Sequence, residues 1–551
     1  MAKKVTKQTL SDEVLRDTWL TYERNGYVYE ATAEALGLNV KTVVARVKQA
    51  QQRLGVEKRT LGSEKGLRAA PLPLPKKGSI KRYIFTCLQN NTRVNRRVWE
   101  SLVNMAEYYD AEIKVSTFTY TPQDGGSVKR GQDKMKFGHK VEDRWYDIDT
   151  KYISDEFEQI APGLVWCGHS NRLPTAANPL AGVESINGRN SGIWPHTTIQ
   201  MRPVATMHGD AAKFNWTTGT IGMKNYMQKF AGQRGEFHHA YGGLLVEVTS
   251  DGAWWVRQLN ADSEGVIYDL DVYADPTGVY YHDGVEAIVL GDIHVAKLDL
   301  DASDATFGKG RMVDTLKPKL AVYHDLLDFE SRRHHSRKDP HERFRVYVEH
   351  RDSVVNEIKL AGEYLDMTAR PWMKQLVIRS NHDRDFDRWL RETDWRDDLV
   401  NAEFYLDANR AVLNAIRKRQ QFNVFEWAVK HLGYAKNAMF NPLDKSYVIC
   451  KRYGGGIELG LHGDEGPNGS RGTPGNLSKI GRKIVIGDKH APGIWDGCYV
   501  AGVTGSLEQG YNTGPSSWAH AHVVVYPNGK RQVIVFWLGA YSAQDHLDTS
   551  R

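Results

Sequence analysis

Five short apolar runs in the second half of this chain each end on aspartate, asparagine or histidine, and that recurrence constrains the fold more than any other feature. Glu286–Leu290 runs into Gly291-Asp292-Ile293-His294, and Leu320–Tyr323 into His324-Asp325-Leu326-Leu327-Asp328. Gln375–Arg379 runs into Ser380-Asn381-His382-Asp383, Ile457–Leu461 into His462-Gly463-Asp464, and Lys483–Ile486 into Gly487-Asp488-Lys489-His490. Ligand-type residues gathered beyond the carboxyl ends of strands, with helical stretches such as Trp389–Gln420 between them, are the habit of layered α/β folds. One such residue alone is more often a cap, a turn or a solvated group. Taken together, a carboxylate and an imidazole two residues apart can hold one ion, and Asp325 is placed to bridge two. Mixed Asp, His and Asn donors suit manganese, iron or zinc better than magnesium or calcium.

The ordered set D-x-H, D-x-x-D, N-H-D, H and G-x-x-H resembles the calcineurin-like metallophosphoesterases, most of all their double-strand-break-repair exonuclease branch. Among whole proteins the arrangement is similar to pre-early phage proteins that degrade host DNA. The resemblance covers the C-terminal half and implies a layered β-sandwich flanked by helices. It also implies two divalent metal ions, with manganese expected. Carried over, Asp292, His294, Asp325 and His490 would hold one ion, and Asp325, Asn381, His462 and Asp488 the other. His382 would face the scissile phosphate as the catalytic group, with Asp383 orienting its ring and Asp328 supporting the ligands from behind. Three positions depart from the family pattern. His324 and Ser380 stand where glycine is usual and are expected to touch backbone geometry only, whereas Asp488 replaces a histidine ligand.

The rest of the chain divides by composition. Residues 1–55 read as a helical domain resembling a helix-turn-helix, with Val40–Leu54 in the recognition position and Lys41, Arg46, Lys48 and Arg53 available to DNA. A helical hairpin used for subunit contact is the alternative. Residues 56–79, with Pro71-Leu72-Pro73-Leu74-Pro75, read as an extended linker rather than packed structure. Residues 80–284 form an α/β accessory region opening on a strand at Arg82–Leu88, a helix at Arg96–Tyr109 and a strand at Glu112–Thr119. Ser170–Gly192 reads as loops. The catalytic region is 285–551.

A net charge of +6 over 551 residues permits a nucleic-acid partner without demanding one. The four cysteines lie far apart and form no C-x-x-C pair, which argues against both a disulfide framework and a cysteine zinc site. No apolar run reaches membrane-spanning length and no signal peptide is visible, so a cytoplasmic location is expected, in the host if the chain is phage-encoded. A homo-oligomer is allowed. The basic run from Ser331 to Lys338 includes Arg332 and Arg333 as phosphate contacts, against a merely solvated face. His520 and His522 are expected to form a wall facing the substrate. The expected function is therefore metal-dependent hydrolysis of DNA. The rivals are a phosphatase or cyclic-nucleotide phosphodiesterase of the same fold, and a DNA-binding regulator with an inactive phosphoesterase domain.

Overall fold

A computed structural model describes residues 10–24, 29–54, 70–120, 145–334 and 339–550. Residues 70–184 and 189–551 belong to one compact unit, and the N-terminal helices to another.

The N-terminal helices are Asp12–Arg24, Tyr29–Leu36 and Val40–Leu54, closed around Leu15, Trp19, Val43, Val47 and Ala50. Gly37 turns the chain at φ +63, a left-handed conformation that glycine adopts without penalty. Asn39 Oδ1 then accepts from Thr42 N at 2.8 Å and caps the third helix. Lys41 and Lys48 are exposed on it, and Arg46 is half-buried. Arg53 departs from its expected role: it pairs with Asp12 at 2.5 Å and donates to Leu10 O, so it closes the helical unit.

In the larger unit a six-stranded sheet runs in the order Met439–Asn441, Lys374–Ile378, Leu320–Tyr323, Ala287–Val289, Ala521–Val525, Arg531–Val535. The first four strands are parallel and the last two are antiparallel additions. Alternate side chains serve two cores. Ile288, Ala321, Tyr323, Val377 and Val524 pack with Ile358, Phe386 and Val424 from the covering helices. Val289, Val322, Leu376 and Val523 pack instead with Ile457, Val485 and Ile494 from an eleven-stranded sheet. A sheet covered on both faces needs near-continuous apolar strands, which accounts for the apolar runs in the sequence. The result is a mixed α/β layered fold, and among the described residues no helix is long and apolar enough to cross a membrane.

The accessory region begins as expected, with Ile80–Gln89 and Ala111–Phe118 parallel across the Arg96–Tyr109 helix. It is not packed separately from the C-terminal region. Met201 pairs with Ile494 between strands, Gln532 Nε2 donates to Gln258 O at 2.9 Å, and Ala543 N donates to Glu247 at 3.1 Å. The division expected near residue 284 thus falls inside one compact unit. The proline stretch is also packed: Ala70–Pro71 pairs with the Phe157–Ala161 strand at a sheet edge, where a missing N–H is tolerated, and Leu72 lies against the core. Residues 56–69 of that expected linker lie outside the described residues.

Two further expectations are corrected. Ser191–Trp194, read as the end of a loop, is a strand paired with Leu164–Cys167. Trp389–Gln420 is not one helical stretch: helices Asn381–Glu392 and Ala402–Arg417 are separated by short 3-10 turns. The break is held from outside, because Arg332, Trp389 and Asn401 all bond Asp398 and Tyr405 Oη donates to the Leu390 and Thr393 carbonyls.

Candidate metal centre

The strand ends are laced together by backbone bonds before any side chain is considered. Ile293 N donates to His324 O at 3.0 Å and His294 N to Asp325 O at 2.8 Å, which extends the ladder between the first two strands into their loops. Gly487 N donates to His462 O at 2.8 Å and joins the fourth loop to the fifth. Asp292 N donates to Gly502 O at 3.1 Å. His522 lies beneath: its Nδ1 accepts from Gly291 N at 3.0 Å and its Nε2 meets Thr306 Oγ1 at 2.8 Å. It is buried and fully bonded, so it supports the first loop rather than facing substrate. Burial holds it down at about 3. His520 faces a separate cavity of about 540 Å³.

Asp292, His294, Asp325 and His490 offer donor atoms that all lie within 4.8 Å of one another, and all four residues are buried. His294 Nε2 is 3.0 Å from His490 Nε2 and 3.9 Å from Asp325 Oδ2, and His490 Nε2 is 3.0 Å from Asp292 Oδ2. Through Asp325 this group touches the second expected set. His462 Nε2 lies 3.3 Å from Asp325 Oδ2, 3.2 Å from Asn381 Oδ1 and 3.7 Å from Asp488 Oδ1. Lys489 also pairs with Asp488.

The cluster is built for positive charge. Oδ1 of Asp292 and Oδ1 of Asp325 are buried without a hydrogen-bond partner, an expensive condition unless a cation satisfies them. Burial pushes His294 and His462 down, yet the surrounding carboxylates outweigh it and raise them to about 8 and about 10. Burial likewise pushes Asp325 up, and the charge of His462 and His382 brings it well below the carboxylate range. The donors present therefore fit a divalent ion.

Asp328 organises two of the histidines with two different atoms. Its Oδ1 lies 2.9 Å from His294 Nδ1, which fixes a proton there and turns the Nε2 lone pair into the cluster. Its main-chain oxygen accepts from His382 Nδ1 at 3.1 Å. His382 Nε2 then points toward the site, 4.0 Å from Asp325 Oδ2. Asp383 does not orient that ring. It is the third residue of a capping box, with its carboxylate accepting from Ser380 N at 3.1 Å and its own N–H bonding Ser380 Oγ at 3.2 Å. Burial and the charge of Asp325 raise it to about 7.

The sequence missed His324. Its side chain does more than replace a glycine: the ring stacks on His462 with centroids 5.4 Å apart, and the two Nδ1 atoms are 3.3 Å apart. Burial holds His324 down at about 3, so it stays neutral and can accept a proton's bond from His462 Nδ1. That arrangement leaves His462 Nε2 as the donor atom facing the ligands. Gly487 is required by the same crowding, since a Cβ there would sit 2.4 Å from Asp292 Oδ1 and 2.9 Å from His324 Cγ.

Of the two expected phosphate contacts, Arg332 is withdrawn. It makes a bidentate pair with Asp398 at 2.6 and 2.5 Å. Arg333 lies over the Tyr511 ring at 4.9 Å and lines a cavity beside Asn381 and His382. Residues 335–338 of that run lie outside the described residues.

Fold and site together define a mixed α/β protein with a buried aspartate–histidine cluster able to hold a metal ion. No protein-family model matches the chain, and neither does any solved structure. It belongs to the family of Protein A1 of Escherichia phage T5, with 37% identity over 476 residues that cover 84% of this chain and 83% of the phage protein.

Proposed function

We propose that the chain is a two-metal phosphodiesterase that hydrolyses DNA, phage-encoded and directed at host DNA, with the metallophosphoesterase fold that its strand-end motifs resemble. The observation that carries this reading is the convergence of Asp292, His294, Asp325 and His490 on one buried point, joined through Asp325 to His462. Asp292, His294, Asp325 and His490 would hold one ion, and Asp325, Asn381, His462 and Asp488 the other. Such a pair supplies an activated water and neutralises the phosphoryl oxygens, with manganese the metal these donors favour. His382 donates Nδ1–H to the Asp328 carbonyl, so Nε2 is the atom left to face a leaving oxygen, and it would hand over a proton from the imidazolium form. His324 and Asp328 fix tautomers, and Gly487 leaves room for Asp292. The helical unit, with Lys41, Arg46 and Lys48, would add DNA affinity to that of the catalytic region.

The test is incubation of purified protein with linear and circular DNA, in EDTA and with manganese or magnesium restored. Cleavage that needs metal is the expected result. Full activity in excess EDTA would overturn the reading, and turnover of a small phosphodiester but not of DNA would favour a cyclic-nucleotide phosphodiesterase.

A further inference from the structure

A polar cavity of about 730 Å³ opens beside Asn381 and His382, and five arginines line it: Arg333, Arg379, Arg384, Arg388 and Arg391. Leu443 is the one apolar residue among its described lining, which suits a charged ligand and not an apolar one. Arg384, Arg388 and Arg391 stand at i, i+4 and i+7 on the Asn381–Glu392 helix and so share one face. That helix begins at the site itself.

The arginines are not equivalent. Arg379 is taken by Asp387, and Arg384 by Asp464 and Glu465, which ties the helix to the loop after His462. Arg388 meets Asp385 and Glu392 only at 3.8 and 3.6 Å with its side chain 44% exposed, and pairs that loose contribute little and exchange readily. Asp385 is in any case engaged by His334 at 2.7 Å. Arg391 is exposed and has no carboxylate partner among the described residues, and Arg333 lies over the Tyr511 ring.

We infer that this helix is a phosphate track leading one DNA strand to His382, with Arg388, Arg391 and Arg333 as its contacts; the inference rests on the proposed nuclease activity. With a helical rise of about 1.5 Å per residue, Arg388 and Arg391 lie roughly 9 and 13.5 Å along the axis from His382. At about 3.4 Å per nucleotide in one strand, they meet phosphates about three and four nucleotides from the cut.

The experiment measures binding of a labelled twelve-nucleotide DNA by fluorescence anisotropy, full-length protein in EDTA, across a salt series, and separately measures manganese-dependent cleavage. Losing two phosphate contacts in the double variant R388A/R391A lowers the salt slope by about 1.4–1.8, which is about 15–30-fold in affinity at 0.15 M salt. R333A lowers the slope by about half as much. Arg410→Ala, an exposed arginine on another helix, leaves affinity and slope as in the wild type. An unchanged slope in R388A/R391A, or an equal loss in R410A, overturns the track. Absence of cleavage by the wild type overturns the nuclease reading instead, and the binding series still decides the track because it uses neither metal nor turnover.

Discussion

Under the proposed two-metal reading, replacing Asp328 would separate metal binding from leaving-group chemistry within a single residue. Its carboxylate holds His294 at 2.9 Å while its main-chain oxygen holds His382 at 3.1 Å, and only the first is removed by mutation. A hydrogen bond to a charged group contributes about 1.5–3 kcal/mol, and about 1.4 kcal/mol is tenfold in affinity. Asp328→Ala should therefore weaken metal binding by about 10–100-fold, the scale known for outer partners of histidine ligands. Asp328→Asn keeps an acceptor and loses the charge, so it should fall about tenfold or less. Titrating manganese by calorimetry, alongside the nuclease rate at each metal concentration, gives the assay. The expected pattern is a curve displaced to higher manganese whose plateau recovers most of the wild-type rate. Unchanged manganese affinity in the alanine variant, or a rate that saturating manganese does not restore, would refute the assignment, and circular dichroism separates either outcome from misfolding.

His382→Asn should behave in the opposite way, keeping its metal content while turnover drops by about 10²–10⁴-fold, whereas Asp325→Asn should lose both; metal analysis with rates on the two purified variants is the check. Gly487→Ala would drive a methyl group against Asp292 and His324, and should lower stability by about 1–3 kcal/mol, read by urea unfolding, together with metal affinity. Deleting residues 1–55 should weaken DNA binding and flatten its salt dependence while hydrolysis of a small aryl phosphodiester persists; undiminished binding would make the helices an assembly element. Burial pushes Glu247 up, but Arg257 and Arg82 outweigh it and hold it at about 2, below its unfolded value. Its contribution is therefore present above the unfolded pKa and lost as pH falls through about 2, so the stability gap between wild type and Glu247→Gln should close on acidification.

Local patterns were legible and directions were not. Val40–Leu54 and Arg96–Tyr109 could be bounded from periodicity and caps because both effects act within a few residues. The convergence of Asp292, His294, Asp325 and His490 could be read because the residue types sit at strand ends. What the sequence could not display was where each side chain turns: Asp383 and Asp328 are alike as letters, yet one carboxylate closes a helix cap and the other holds His294. His324 was misjudged for the same reason, since its partner His462 is 138 residues away. The joining of Met201 to Ile494, and the break after Glu392 imposed through Asp398, are likewise set by partners remote in the chain.

Four of the expected ligands, His294, Asp325, Asp488 and His490, have positive φ, between 41° and 64°. Outside glycine that backbone region is entered chiefly by asparagine, aspartate and histidine, whose short polar side chains tolerate it. The residues able to make these turns are thus the same ones able to grip a metal. Drift at these positions is filtered twice, once by backbone shape and once by chemistry, and the acceptable alphabet shrinks to a few letters. Valine or isoleucine would unseat the turn before any question of coordination arose. A lineage that lost the chemistry would be expected to keep aspartate, asparagine, histidine or glycine there for the turn alone, so a surviving aspartate or histidine at one of these turns is by itself weak testimony of activity.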